Sequence, residues 1–125
     1  MEKTGIVNFA QHVLGCGCDN RVFDFIENEN HAILDCGVKL RKKIVIGRRL
    51  LIYIADSDDI RPVDIPNVIM EGIAERNSMG YNRLRLAVVT PIASELASAY
   101  LCEFGCMQGK DDKTHIHIVS DEDAI

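Results

Sequence analysis

The sequence has no tryptophan, few aromatic residues and no long apolar run. Its 125 residues include three prolines, and aromatic residues make up 6% of the chain. No apolar stretch reaches the ~20 residues that a membrane-spanning helix needs, and residues 1–5 lack the basic segment and apolar stretch of a secretory signal. The sequence therefore predicts a cytoplasmic protein that does not cross a membrane.

A large excess of positive charge is also lacking. Lysine and arginine number 14 against 19 acidic residues, so the net charge is −5. This balance favours solubility and argues against general binding to nucleic acids. Hydrophobic residues make up 47% of the chain and charged residues 26%, which is typical of a folded globular protein. We expect one α/β domain over residues 1–125, with a short acidic tail at 120–125.

Disulfide bonds are not expected. The chain has five cysteines, an odd number, and a chain this apolar does not need crosslinks to fold. Free thiols in a reducing compartment are the simplest interpretation.

Apolar spacing predicts N-terminal helices followed by a mixed sheet. Helical periodicity covers residues 5–14 and, after two glycines, a shorter segment that ends at the polar run 27–30. Between 31 and 55 the pattern is that of a β-hairpin joined near Gly47, whose second strand is buried on both faces. The order is then strand, helix, strand, helix, strand, with a helix that ends at Gly80, a strand over 84–88, a helix over 91–107 and a strand over 114–119. We expect a β-hairpin followed by β-α-β-α-β, with helices packed on the sheet.

Two cysteine pairs are the main candidates for chemistry. Cys16 and Cys18 flank a glycine, whose conformational freedom would let both sulfurs face one metal ion or one redox partner. Cys102 and Cys106 are one helical turn apart, so their β-carbons lie about 5–6 Å from each other, too far for an unstrained disulfide but close enough to share a metal. Alternatively, both pairs are structural, in a helix joint and beside the core.

If the pairs met, Cys16, Cys18, Cys102 and Cys106 would supply four thiolates, enough for zinc or an iron–sulfur cluster. The first hypothesis is therefore a thiol-based module, metal-binding or redox-active, centred on Cys16 and Cys18. The alternative is a non-catalytic protein-interaction or regulatory module, whose partner could be a second copy of the chain as a homodimer. Catalysis is left open but not favoured, because no base, nucleophile and orienting residue can be assembled from the sequence.

Two histidines form a weaker candidate. Alternation along the last strand puts His115 and His117 on one face, where they could bind a metal together with a thiolate or Glu95. The alternative is the solvent face of an edge strand whose isoleucines point inward.

Acidic residues follow a buried strand at Asp56, Asp58 and Asp59, and Thr90 ends the next strand. Ligands gather at the carboxyl ends of parallel strands, so a magnesium or phosphoryl site could form there. These strand ends resemble those of response-regulator receivers, but no acidic pair follows a first strand and no lysine ends the last one. A solvated turn is the alternative.

Basic residues cluster around the hairpin. No aromatic residue lies between them to stack on bases, so an exposed hairpin face is favoured over a phosphate-binding surface. The cluster consists of Lys39, Arg41, Lys42, Lys43, Arg48 and Arg49.

The segment 14–18, Leu-Gly-Cys-Gly-Cys, is followed by Val22 and Phe23. It resembles an uncharacterised family of small prokaryotic proteins that begin with a similar Cys-X-Cys and a Val-Phe pair. The resemblance covers about ten residues and implies no activity.

Overall fold

The computed structural model describes residues 2–14 and 25–124. The first helix, α1 (Glu2–Asn8), continues into a turn of π-helix at Phe9–Val13. The other elements are the strands β1 (Ile26–Asn30), β2 (Lys42–Ile46), β3 (Leu50–Asp56), β4 (Arg83–Thr90) and β5 (Thr114–Ser120), the helices α2 (Ile65–Met79) and α3 (Ala93–Cys106), and short 3-10 turns at Pro62–Asp64 and Asp121–Asp123.

The described strands form one mixed sheet in chain order, β1-β2-β3-β4-β5. The pairs β1–β2 and β2–β3 are antiparallel, whereas β3–β4 and β4–β5 are parallel. The parallel strands are joined by α2 and α3, as a β-α-β-α-β unit requires. The predicted α/β fold, a hairpin followed by β-α-β-α-β, is confirmed.

The centre of the sheet is buried on both faces. On one face, α2 and α3 cover an apolar cluster that includes Tyr53, Leu84 and Leu86. On the other face, Phe9 of the N-terminal helical segment packs in a second cluster with Ile52. The apolar run in β3 predicts a strand buried on both faces, and this prediction is confirmed, because Leu50 through Ala55 are all buried.

The hairpin between β2 and β3 turns at Gly47, as predicted. Gly47 and Arg48 have positive φ angles of 61° and 55°. Left-handed backbone at two successive residues matches the twist of a hairpin. Glycine adopts this conformation without strain.

The polar run at 27–30 does not end a helix, as the sequence analysis expected, but belongs to β1. Its side chains pair across to β2: Lys42 Nζ donates to Asn30 Oδ1 at 2.9 Å, and Lys43 Nζ lies 3.9 Å from Glu29 Oε1. Such cross-strand pairs stabilise a strand whose residues have little intrinsic preference for it. The rest of the expected second helix lies outside the described residues.

An ion pair between a buried arginine and an exposed aspartate fixes the turn before β5. Arg76 of α2, whose side chain is 6% exposed, donates from Nη2 to Asp111 Oδ2 at 2.6 Å and from Nη1 to Oδ1 at 3.0 Å. This bond holds the pKa of Asp111 well below its usual range. Because Arg76 also donates to Thr114, the first residue of β5, α2 holds the start of this strand in position.

Among the described residues, no helix is both long and apolar enough to cross a membrane.

Candidate functional site

The described cysteines are exposed to solvent. Cys102 and Cys106 lie on α3 and Cys36 lies in a turn before β2. The alternative interpretation, in which the α3 pair lies beside the core, is wrong, because both thiols are exposed. Cys16 and Cys18 lie outside the described residues, so their meeting with the α3 pair stays a prediction.

The two α3 thiols interact with each other. Cys106 is within hydrogen-bonding reach of Cys102, and this bond, together with the charge of a Cys106 thiolate, raises the pKa of Cys102. The thiolate is both the nucleophile and the metal ligand, so a raised pKa disfavours both reactions at Cys102. No group of three or more His, Cys, Asp or Glu side chains within residues 2–14 and 25–124 could hold a metal ion.

The acidic run after β3 is not assembled into a cation site. Asp56 makes a two-point ion pair with Arg41, with 3.2 Å between Arg41 Nε and Asp56 Oδ2. Asp58 and Asp59 are exposed, and the buried Thr90 accepts a hydrogen bond from the Ile92 backbone at 3.3 Å. The expected magnesium or phosphoryl site therefore has no support from these contacts.

The basic cluster around the hairpin is partly neutralised. Arg41 is bound to Asp56, and Lys43 Nζ lies 3.0 Å from Glu75 Oε2. Lys39 and the two turn arginines are exposed. The cluster is thus a solvated face with internal ion pairs, as the favoured interpretation held.

The two histidines of β5 have different surroundings. His115 is exposed, whereas His117 is half-buried and its Nε2 lies 2.9 Å from Arg85 Nη1. Burial and the charges of Arg85 and His115 lower the pKa of His117 to about 4. His117 is therefore neutral at physiological pH, with Nε2 as the acceptor of a hydrogen bond from Arg85.

Arg85 is the residue that sequence reasoning missed. Alternation along β4 puts Arg85 on the same face as Arg83, opposite Leu84 and Leu86, yet Arg85 is only 9% exposed. Its Nη1 also donates to the Leu14 carbonyl at 2.8 Å. Its Nε is buried and has no hydrogen-bond partner in the described part of the chain. The sequence does contain a signal for the burial of Arg85, because Ala87 and Val89, which lie on the same face of β4, are apolar.

A groove of about 700 Å³ runs along the outer edge of β5. Both helical layers border it: α3 supplies one wall and the end of the N-terminal helical segment supplies the other, with residues 116–120 of β5 between them. The wall residues are Ala93, Ala97 and Leu101 on α3, and His12 and Val13 on the N-terminal side. His117 lines the groove, so it connects this groove with Arg85.

Comparisons with protein families, with curated proteins and with solved structures found no match to this chain.

Proposed function

We propose that this protein is an interaction module that binds an extended polypeptide strand at the outer edge of β5. The observation that carries this proposal is the composition of that edge. Between Thr114 and Ser120 there is no lysine, arginine, aspartate, glutamate or proline. Within the described part of the chain, β5 pairs with β4 alone, so its other side has backbone groups that can pair with a further strand.

The opposite edge of the sheet is protected. Of its five residues, β1 has two glutamates, Glu27 and Glu29, and both are exposed. Proteins block edge strands with charges, because an unprotected edge is a template for pairing with another chain. The contrast between the two edges supports β5 as the one that accepts a partner.

The groove has the shape that strand addition needs. A strand placed beside β5 would lie about 4.8 Å from it and would direct alternate side chains to the two faces of the sheet. On one face these side chains would meet Ala93 and Ala97, which are small and leave space, and on the other they would meet Val13. Leu101, which is 46% exposed, offers apolar area to the bound strand. Backbone hydrogen bonds would supply affinity and these pockets would supply selectivity.

Selection from a displayed library of extended peptides tests this proposal. Peptides enriched on the wild type are measured against Ala97→Phe, which fills the groove, and against Ala99→Phe on the exposed side of the same helix. We expect Ala97→Phe to weaken binding roughly tenfold or more, since overpacking costs ~1–3 kcal/mol, and Ala99→Phe to leave it unchanged. The proposal would be contradicted if Ala97→Phe bound the peptides as tightly as Ala99→Phe. It would also be contradicted if peptide binding shifted NMR signals of backbone amides outside Thr114–Ser120 and none within it.

A second candidate function is a thiol-based module that binds a metal ion or undergoes redox exchange. The exposure and the mutual contact of Cys102 and Cys106 favour it. Two thiolates one turn apart offer half of a tetrahedral zinc site, and Cys16 and Cys18 would supply the other half.

Zinc titration of the reduced protein tests the thiol hypothesis. We expect one zinc per chain in the wild type, and loss of this zinc in Cys102→Ser/Cys106→Ser and in Cys16→Ser/Cys18→Ser. The matched control is Cys36→Ser, since Cys36 is also exposed but lies in a different part of the fold. A wild type that binds no zinc, or zinc retained by either double variant, would rule out the four-thiolate site.

A further inference from the structure

The outer edge of β5 has a regular set of backbone groups that point away from β4. The Leu84 N–H donates to the Lys113 carbonyl at 3.0 Å, and successive residues of a strand direct their N–H and C=O groups to opposite sides. Ile118 lies midway along the stretch of β5 that lines the groove, 116–120. The residues whose backbone groups point outward are therefore Thr114, Ile116, Ile118 and Ser120.

The two ends of this edge differ in charge. At the start of β5, Asp111 is bound to Arg76, and the exposed Lys113 and Arg83 outweigh Asp112. The turn that follows the strand, Asp121–Asp123, consists of three exposed acidic residues. An antiparallel neighbour with the same charges would bring its acidic end beside this basic end, whereas a parallel neighbour would bring acid beside acid.

The α3 wall of the groove complements itself when it is reversed. Ala93, Ala97 and Leu101 are spaced by four residues, so they lie along one face of the helix. In two antiparallel α3 helices with their Ala97 residues opposite each other, Leu101 of each copy would lie over Ala93 of the other. Leu101 is 46% exposed, and the small alanine leaves room for its side chain.

The spacing of the sheet would bring two such helices to packing distance. In each copy α3 packs on both β4 and β5. If two β5 strands paired and each α3 lay above the gap between its own β4 and β5, the helix axes would be two strand spacings apart, about 10 Å. Packed helices lie 8–10 Å apart. Pairing of the strands and packing of the helices are therefore compatible.

We infer that the strand bound at the outer edge of β5 is β5 of a second copy of this chain, in a two-fold dimer whose axis passes at Ile118. The inference rests on the proposed function, because it names the partner of the same edge. A two-fold interface needs a surface that complements itself under reversal. The outward backbone groups, the charges at the two ends and the α3 wall all meet this condition.

In this dimer the two sheets join into one. Ile118 pairs with its own copy, and Ile116 of each copy pairs with Ser120 of the other, so that their outward N–H and C=O groups bond to each other. The acidic turn of one copy lies beside Lys113 and His115 of the other. A peptide at this edge and the second copy exclude each other.

Sedimentation equilibrium over a range of protein concentrations tests the dimer. We expect a reversible dimer for the wild type. Ala97→Glu should weaken association roughly tenfold or more, because two glutamates would meet across the axis. The matched control is Ala99→Glu on the exposed side of the same helix, which should change association by less than about threefold. Far-UV circular dichroism checks that each variant is folded.

Mixing two variants of opposite charge tests the two-fold arrangement. Ala97→Lys alone should weaken the dimer as Ala97→Glu does, because two lysines would then meet. An equal mixture of Ala97→Glu and Ala97→Lys should associate roughly tenfold more tightly than either variant alone, since glutamate meets lysine. This rescue requires that residue 97 of one copy lies opposite residue 97 of the other.

NMR on a mixture of labelled and unlabelled wild-type protein needs no substitution. Residues between the hydrogen-bonded pairs of an antiparallel ladder come closest, with Cα atoms about 4.5 Å apart. With the axis at Ile118, these are His117 of one copy and Val119 of the other. We expect nuclear Overhauser effects between their Hα atoms across the two copies.

Three outcomes would overturn the inference: a wild type that is monomeric up to ~1 mM, a dimer that Ala97→Glu leaves unchanged, or variants that do not rescue each other. Failure of this inference is distinct from failure of the proposed function. If the protein stays monomeric but selected peptides bind at β5, the dimer is wrong and the module stands. If the dimer forms through β5 but no peptide binds the dissociated chain, the dimer stands and binding of other polypeptides is wrong.

Discussion

Burial and two neighbouring cations determine the protonation state of His117. The folded protein has a pKa of about 4 at this residue, against 6.5 for an ordinary histidine. As the pH falls from 6.5 to about 4, the unfolded chain takes up a proton that the folded protein does not. Proton uptake by the unfolded state lowers the free energy of unfolding. The stability provided by a neutral His117 is therefore complete above pH 6.5 and is lost as the pH falls toward 4.

We expect His117→Gln to remove this acid sensitivity. Between pH 7 and pH 4.5, the free energy of unfolding of the wild type should fall by about 2 kcal/mol more than that of the variant. This value is smaller than the full pKa shift would give, because the imidazole ring is partly exposed and solvent screens its charge. Urea denaturation at the two pH values measures the difference. His31→Asn is the control, since His31 is exposed and its left-handed φ of 59° suits asparagine. Equal pH dependence in His117→Gln and the wild type would contradict this account.

Single-residue environments were the part of the site that sequence patterns could least predict. Alternation placed His115 and His117 on one face of a strand, because that depends on neighbouring residues only. The burial of Arg85 depends on Leu14, which is 71 positions away, and its bond to His117 spans 32 positions. Contacts between residues so far apart in the sequence depend on how the helices pack on the sheet. They produce no periodic pattern in the sequence from which they could be predicted.

At the scale of elements, two helical glycines differ in the space around them. A β-carbon on Gly72 in α2 would lie 2.7 Å from Leu84 Cδ2 and 3.1 Å from Tyr53 Cε2, whereas one on Gly105 in α3 would meet nothing within 4 Å. Gly72 thus permits the close approach of α2 to the sheet. Gly105 has no such role and leaves its helix less stable than alanine would.

We expect Gly72→Ala and Gly105→Ala to change stability in opposite directions. The first should lower the free energy of unfolding by ~1–2 kcal/mol, because overpacking of ~1–3 kcal/mol exceeds the gain in helix propensity. The second should raise it by up to ~1 kcal/mol. Thermal or chemical denaturation gives both values. A stabilised Gly72→Ala would show that α2 can shift away from Leu84 at little cost.

The elements with a strong apolar periodicity could be predicted from the sequence, whereas β1, which lacks this periodicity, could not. The central strands and both long helices follow from apolar spacing, because each buries an apolar face. In β1 the residues Glu27–Asn30 have no apolar face, and their strand conformation depends on pairing with β2, in which Asn30 lies opposite Lys42. Tertiary pairing overrides local preference at such an edge.

At the scale of the whole molecule, the two sides of α3 serve the two candidate functions. Ala93, Ala97 and Leu101 border the groove, whereas Cys102 and Cys106 do not line it and face solvent. The groove itself could not be predicted from sequence, because two helical layers from opposite ends of the chain border one strand. Variants on either side of α3 therefore test the strand-binding and thiol hypotheses independently.

Amide hydrogen exchange along β5, with and without a selected peptide, tests strand addition most directly. In an edge strand paired on one side, alternate N–H groups point outward and exchange readily. We predict that peptide binding slows the outward amides between Thr114 and Ser120 in the wild type, leaves the amides of β1 unchanged, and has little effect in Ala97→Phe. Protection that appears elsewhere, or β5 amides that exchange equally fast with the peptide bound, would contradict the claim that this edge is the binding site.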